Sequence, residues 1–542
     1  MTTDADSRVS ISVNDGRKTW NRDFYDFGKA HSIPLLGFKP GRTNLLTITV
    51  YDKSRNQATA GLPLSFVTGA LPADFPNIRL LQSQPEKMEP GYRLFFTSFR
   101  GTGYYVIVDG SGEIVWYSRP GGSAPEVRQL EDGRLFIFST TKFMEMDMLG
   151  NIVKTWLVPT NLPIDIHEEL LTDHGTIVYL SGASEVVSNY PTSTTDPGAP
   201  LGTATNLTYQ RVVEISVTNS ALLNVWPVID QLDPRRLTYL TVPGPTVWDA
   251  QHANSVSEDP KDKGLIVSLR NQNAVIKISR ATGQLVWILG PPENWGPSWQ
   301  KYLLKPKEAP FAWQYGQHAA VFTPQGTLMI YDDGNFRATP FDLPVADTNN
   351  FSRAVEYQIN ENTMEISQVW EYGSAILEPL YTDKVGNAEL LPETGNVLIN
   401  FGSVVYQNGV PPSVTNQNAY ITRIKEVTHD AIPQVVFDLR ISQYDNTNVN
   451  AAMLVYRAHA IRDLNAHPAL PVADLKLIPY NNSVLLQFSG DPARSYVIQA
   501  SSDLRNWHWV DYALPDVDPG TFFFPGASFN QFKARYYRVL TL

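Results

Sequence analysis

The chain has 542 residues, 43% of them hydrophobic and 18% charged, with a net charge of −11 and no cysteine. That length supports two to four domains with large cores, and the composition is that of an ordinary globular protein. An acidic balance with no Lys/Arg cluster argues against a nucleic-acid partner, no run reaches the ~18–20 apolar residues of a membrane span, and the missing cysteine excludes disulfides, thiolate metal sites and a cysteine nucleophile.

The first twelve residues, MTTDADSRVSIS, lack the basic start and apolar stretch of a signal peptide. They fit a cytoplasmic protein or a mature-form chain with a new Met1. Residues 1–72, with LLGFKPGRTNLLTITVYD at 35–52, alternate like a small β-sandwich, and Pro72 and Pro76 mark its exit.

A repeat follows. A Gly-then-apolar strand recurs as GYRLFF, DGRLFIFS, HGTIVYLS, KGLIVSL, QGTLMIYD and TGNVLINF between 91 and 401. Each copy is followed by a strand, a polar turn and a strand ending in an aromatic: Trp116, Trp156, Trp226, Trp287, Trp370 and Phe437. Six hairpin-bearing copies predict an all-β chain with a six-bladed β-propeller over 85–466, because stacked blades cover the faces that no single blade can. The closing aromatics are expected to pack blade against blade. The Ser/Thr/Pro/Gly-rich stretch 183–210 reads as an inserted loop. After 472, strands such as SYVIQASSDLRNW and ARYYRVLTL predict an Ig- or fibronectin-like sandwich over 472–542, an accessory module.

Three histidines share one position in the repeat. His167 and His318 each lie eight residues before a strand-opening glycine, and His252 lies twelve before its glycine with a longer turn between. Asn387 fills the corresponding place in another copy and Pro125 in a third, so the fold itself does not demand histidine there. Equivalent places in a closed ring face one axis, so the imidazoles are expected to converge. Arg270 ends the apolar strand KGLIVSLR where other copies carry Thr97, Ser139, Ser181 and Asp332. A guanidinium in that place calls for an anion, and its fork of donors suits a tetrahedral oxyanion; a salt bridge to an acid such as Asp332 is the bland alternative. Glu168 and Glu169 beside His167 read as structural. Trp248, Trp313 and Tyr315 suit a planar substrate but serve equally as core. His174, His429, His459, His467 and His508 share no position and read as bland.

QHANSV with Arg270 eighteen residues after His252, the earlier DIHEELL and the later QHAAVF resemble the bacterial arylsulfate sulfotransferase family over about 85–465, and residues 1–72 resemble its N-terminal β-domain. The module from 472 lies outside that pattern. The resemblance implies transfer of a sulfuryl group from an aryl sulfate donor to a phenolic acceptor without a nucleotide, metal or organic cofactor. It makes His318 the nucleophile that is transiently sulfated, with His252, His167 and Arg270 holding the sulfuryl oxygens and handling the phenolic proton. Asn254 is implied as a helper, and Thr382 or Asn387 as further polar contacts. It also implies a periplasmic or secreted enzyme able to form a homodimer. Some members carry a disulfide near the site, which this chain must replace by other means. Two other readings stay open on the residues alone: a metal-dependent propeller lyase or hydrolase using the three histidines, and a non-catalytic binding scaffold.

Overall fold

A computed structural model describes residues 1–54, 56–99, 102–119, 125–130, 132–241, 248–374, 379–412, 420–442, 454–464, 474–481, 483–490, 496–502, 508–513, 521–528 and 535–541. Among them nearly every element is a β-strand, and helix is confined to short 3-10 turns. The chain divides into two compact units, one of Pro72–Gln129 and Leu135–Asp463, the other of Met1–Leu71, Leu130–Arg134 and Leu464–Leu542.

Among the described residues the larger unit holds six sheets, one for each copy of the repeat, antiparallel apart from two short parallel pairs. The fourth is the plainest: Ala253–Glu258, Leu265–Leu269, Ala274–Ile278 and Leu285–Leu289 lie side by side in chain order. Its strand Leu265–Leu269 is buried along its whole length, because sheets cover both of its faces. Val178, Leu180 and Val212 of the third sheet meet Val256, Leu265 and Val267 of the fourth. On the other face, Ile266 and Val275 meet Leu328 and Ile330 of the fifth. Each fully buried Val, Leu or Ile contributes about 1.5–3 kcal/mol.

Strands distant in sequence complete the first and last sheets. Leu454–Ile461 pairs with Tyr92–Phe99 at an edge of the first sheet, and Asn77–Ser83 pairs with Val435–Ser442 at an edge of the last. Six sheets tied across both ends in this way are compatible with six blades closed into a ring. The repeat's aromatics bridge neighbouring sheets as expected. Trp116 Nε1 donates to Met148 O at 2.8 Å, Trp156 to Val217 O at 2.8 Å, Trp287 to Glu361 Oε1 at 2.8 Å and Trp370 to Asp430 O at 3.1 Å. In each case the acceptor lies in a turn of the next sheet.

The stretch 183–210 differs from expectation. It is not a loop throughout: Thr176–Tyr190 and Gly202–Ser216 continue as a long hairpin, with Val187 opposite Ala204 and Tyr190 opposite Gly202. Val187, Tyr190, Ala204 and Leu207 form a small core with Ile229 and Ala250, which gives the extension burial of its own. Only the tip, 191–201, lacks strand.

In the smaller unit, Thr2–Asn14, Thr19–Ala30, Thr43–Asp52, Gln57–Thr59 and Leu64–Val67 make one antiparallel sheet over Val9, Ile11 and Val13. Residues 476–541 supply two three-stranded sheets, whose Phe488, Tyr496, Ile498 and Val539 pack together as in a sandwich.

Candidate active site

His318 opens the strand His318–Phe322, where the register slips before Val321 and Ala319 adopts φ +52°. His252 precedes Ala253–Glu258 with φ +49°, and that strand's register slips between Ala253 and Ser255. Such irregularities at a strand end turn a side chain away from the ladder. Gly316, at φ +64°, is required beside His318: a Cβ there would lie 2.0 Å from Asn335 Oδ1.

The three histidines converge. The rings of His167 and His252 lie 4.7 Å apart, and Tyr456 stands between the groups, 6.1 Å from the His167 ring and 6.3 Å from that of His318. Each imidazole is backed by an aspartate through Nδ1. His167 meets Asp165 at 2.6 Å, His252 meets Asp249, and His318 meets Asp333 at 2.5 Å. The aspartates thus occupy the Nδ1 side of each ring, and Nε2 is the opposite nitrogen. Gln210 links two of the supports, accepting from Ala253 N at 2.8 Å and donating to Asp165 at 3.4 Å.

His318 is the buried member, 2% exposed against 29% for the His252 side chain. Burial holds its pKa well below the usual imidazole range, and the positive charges of Arg270 and Arg457 and the rings of His252 and His167 push the same way. Burial holds Asp333 well above the ordinary carboxylate value, and Arg270 and the Thr382 hydroxyl only partly oppose the rise. Burial also raises Asp165, but the His167 hydrogen bond and charge outweigh it and its pKa ends below the ordinary value.

Arg270 is half-buried and bonds only neutral oxygens among the described residues: Asp383 O at 2.9 Å, Asn271 Oδ1 at 3.1 Å and Asn335 Oδ1 at 3.4 Å. Its Nε is buried without a partner. Asp332 pairs with Arg353 at 2.8 Å and Arg337 at 3.0 Å, so it does not neutralise Arg270. Arg457 is different: it pairs with Glu168 at 2.5 Å and also donates to Asn254 O at 3.0 Å. A guanidinium whose described partners are all neutral oxygens, as those of Arg270 are, retains donors and charge that suit an anion.

The remaining expected residues divide. Thr382 Oγ1 bonds Asp333 Oδ1 at 3.2 Å, Ser352 Oγ at 2.8 Å and Tyr331 OH at 2.9 Å, so it reaches His318 through Asp333. Asn254 is fully buried and donates to Gln317 O at 2.8 Å, with its Oδ1 unpartnered. Asn387 is tied on both sides to Ala458, at 2.9 Å each, and holds a strand in place. Glu168 is ion-paired with Arg457 and Arg128. Both oxygens of Glu169 are buried without a partner, and burial together with Glu126 and Glu168 holds its pKa well above the ordinary value. Trp313 packs edge-on to Phe311 at 4.6 Å, Tyr315 is anchored through its N–H to Asp332 Oδ1 at 2.9 Å, and the Trp248 side chain lies outside the described set.

Sequence reasoning missed the three aspartates and Tyr456. Asp165 and Asp249 precede their histidines by two and three residues, a spacing visible in DIH and DAQH. Asp333 is fifteen residues from His318, and the strand Leu454–Ile461 that carries Tyr456 belongs to no copy of the repeat.

The family model for arylsulfotransferase (ASST) matches residues 77–454. An arylsulfate sulfotransferase of Escherichia coli O6:H1 is 26% identical over 385 residues, covering 60% of this chain and 62% of that protein. One from Lelliottia amnigena is 22% identical over 391 residues, covering 61% and 63%. The matched region thus spans less than two thirds of these relatives' length. A solved protein of unknown function from Bacteroides caccae aligns with 69% of this chain and all of its own, at 12% identity and a TM-score of 0.41. With the family's pattern running through most of its length, the chain belongs to the arylsulfotransferase family.

Proposed function

We propose that the protein transfers a sulfuryl group from an aryl sulfate ester to a phenol by a ping-pong route through His318. The observation that carries this is the buried His318–Asp333 pair facing an arginine that has no carboxylate of its own. With its proton on Nδ1 and donated to Asp333, His318 presents a neutral Nε2 lone pair. That pair attacks sulfur, the bond from sulfur to the aryl oxygen breaks, and the phenolate leaves with the bonding electrons. His252 or His167 protonates the phenolate, then removes the proton of the incoming phenol as its oxygen attacks sulfur and the N–S bond breaks. Arg270 stabilises the charge that grows on the sulfuryl oxygens. Asn254, with a free buried Oδ1, is assigned a supporting contact, and Thr382 positions Asp333.

In this reading residues 85–466 are catalytic, 1–72 are an N-terminal β-domain and 472–542 an accessory module. The partners are small molecules, the aryl sulfate donor and the phenol acceptor. The two relatives' names support the substrate class.

The test is nitrophenol release from 4-nitrophenyl sulfate, with and without added phenol, after chelation. Release that depends on phenol and survives chelation supports metal-free transfer. Release without an acceptor marks a hydrolase. Aspartate-backed imidazoles are also what metal ligands display, so activity lost to the chelator and restored by a divalent ion would favour a metal enzyme.

A further inference from the structure

Three insertions of the larger unit meet one another, and two of them reach Arg270 or its neighbour Asn271. The first is the tip of the long hairpin, where Thr194 O accepts from Phe341 N at 2.7 Å. The second is the segment around Thr238, whose hydroxyl donates to Asn271 O, next to Arg270. The third runs from Asp333 to Val345, and Val345 N closes it onto Phe336 O at 2.8 Å. Tyr239 joins the second to the third, its hydroxyl donating to Asp342 O and its ring stacked on Phe336 at 5.1 Å and 20°.

The stack lies close to the chemistry by covalent connection. Phe336 follows Asn335, which accepts from Arg270, and Tyr239 follows Thr238, which is tied to Asn271. The backbone there is held against its preference: Phe336, Arg337 and Phe341 have φ of +64°, +43° and +77°. Bulky residues seldom occupy that region, and such conformations collect at ligand clamps where the surroundings impose them. Here Arg337 does so, lying 4.1 Å over the Phe351 ring and bonding Asp332, Asn350 and Phe351 O. Both stacked rings keep partial exposure. Packing alone gives no reason to keep two half-exposed aromatics stacked across two segments, one of them strained, next to a guanidinium with only neutral partners.

We infer that Tyr239 and Phe336 are the aryl-recognition element that selects the phenolic acceptor, an inference that rests on the transferase reading above. The flat ring of the acceptor packs on this pair while its oxygen points past Arg270 to the sulfuryl group. Extended planar phenols gain more from this surface than phenol itself does.

The experiment compares phenol and 2-naphthol as acceptors, with 4-nitrophenyl sulfate as donor, in the whole chain. Its variants are Phe336→Gly, which suits the left-handed backbone, Tyr239→Leu, and Tyr239→Phe, which keeps the ring and loses the tether to Asp342. The first two should raise KM for 2-naphthol about tenfold, the value of an aromatic contact, with kcat within about twofold, and should erase the preference for naphthol. Tyr239→Phe should keep that preference. Unchanged preference in both ring-deleted variants, or an equal fall in kcat for the two acceptors with KM unaltered, would overturn the inference and leave the transferase reading standing. A wild-type protein that transfers to neither acceptor removes that reading and the inference with it.

Discussion

His318 Nδ1 lies 2.5 Å from Asp333 Oδ2, and both side chains are withdrawn from water, at 2% and 0% exposure. The contact decides which nitrogen of the ring is free. Burial lifts Asp333 well above the ordinary carboxylate value, and Arg270 and the Thr382 hydroxyl only partly oppose that rise; the proposed attack requires the shared proton on Nδ1 and the lone pair on Nε2. Asp333→Asn keeps the volume but removes the charge that fixes this tautomer. It should lower kcat by about 10²-fold or more while the protein stays folded. Steady-state kinetics alongside a thermal melt check this, and near-normal turnover would remove Asp333 from the account.

Arg270 gives the second prediction. Its described partners are neutral oxygens, so its charge remains available to a ligand. Arg270→Lys retains the charge and loses the planar fork, and should cost about 10²–10³ in kcat/KM. A loss below about threefold would mean that the guanidinium is not aimed at the sulfuryl oxygens.

The pH–rate profile carries the third. Burial and the charge of Arg270 hold His318 below the ordinary imidazole value of 6.5. The neutral nucleophile therefore survives into mild acid, and the acid limb of kcat/KM should fall below pH 6.5. The same shift has a stability consequence of definite sign. Below 6.5 the unfolded chain takes up a proton that the folded site resists, so His318 costs stability as pH falls. Replacing it with Gln should flatten that part of the stability curve. An acid limb above pH 7 would contradict the assignment.

His459 behaves in the opposite sense. It lies 3.0 Å from both Glu126 and Glu389, and although burial alone lowers its pKa, those carboxylates carry it up to about 9. A raised histidine stabilises fully below the unfolded value near 6.5 and loses that contribution as pH rises through the folded one. The melting difference between wild type and His459→Gln should be large at pH 6, on the order of 3 kcal/mol at most, and should shrink by pH 9.5. A difference independent of pH would deny the ion-pair role.

Much of this was legible in the sequence, for identifiable reasons. A six-copy repeat averages out local ambiguity, so one sheet per copy and the bridging tryptophans followed directly. The convergence of His167, His252 and His318 followed from one shared position. That logic stopped where a side chain's partner comes from elsewhere in the chain. Asn387 occupies the histidines' place, yet its amide is spent on Ala458, a strand arriving from 71 residues away. Asp332 and Asp333 adjoin in sequence, but strand alternation sends one to Arg353 and the other to His318. The long hairpin was hidden because its Ser/Thr-rich strands look like loop until Tyr190, Leu207 and Ile229 are seen to share a core. His459 looked bland because nothing near it in sequence announces Glu126.

The most direct test of the central claim is the intact mass of the protein after mixing with an aryl sulfate in the absence of any phenol, followed by peptide mapping at alkaline pH, where a sulfated imidazole persists. The account predicts an added mass of one SO3 group, located on His318, lost when phenol is supplied and never formed in His318→Gln. An unmodified protein that nevertheless transfers sulfate in steady state, or a sulfated residue other than His318, would contradict it.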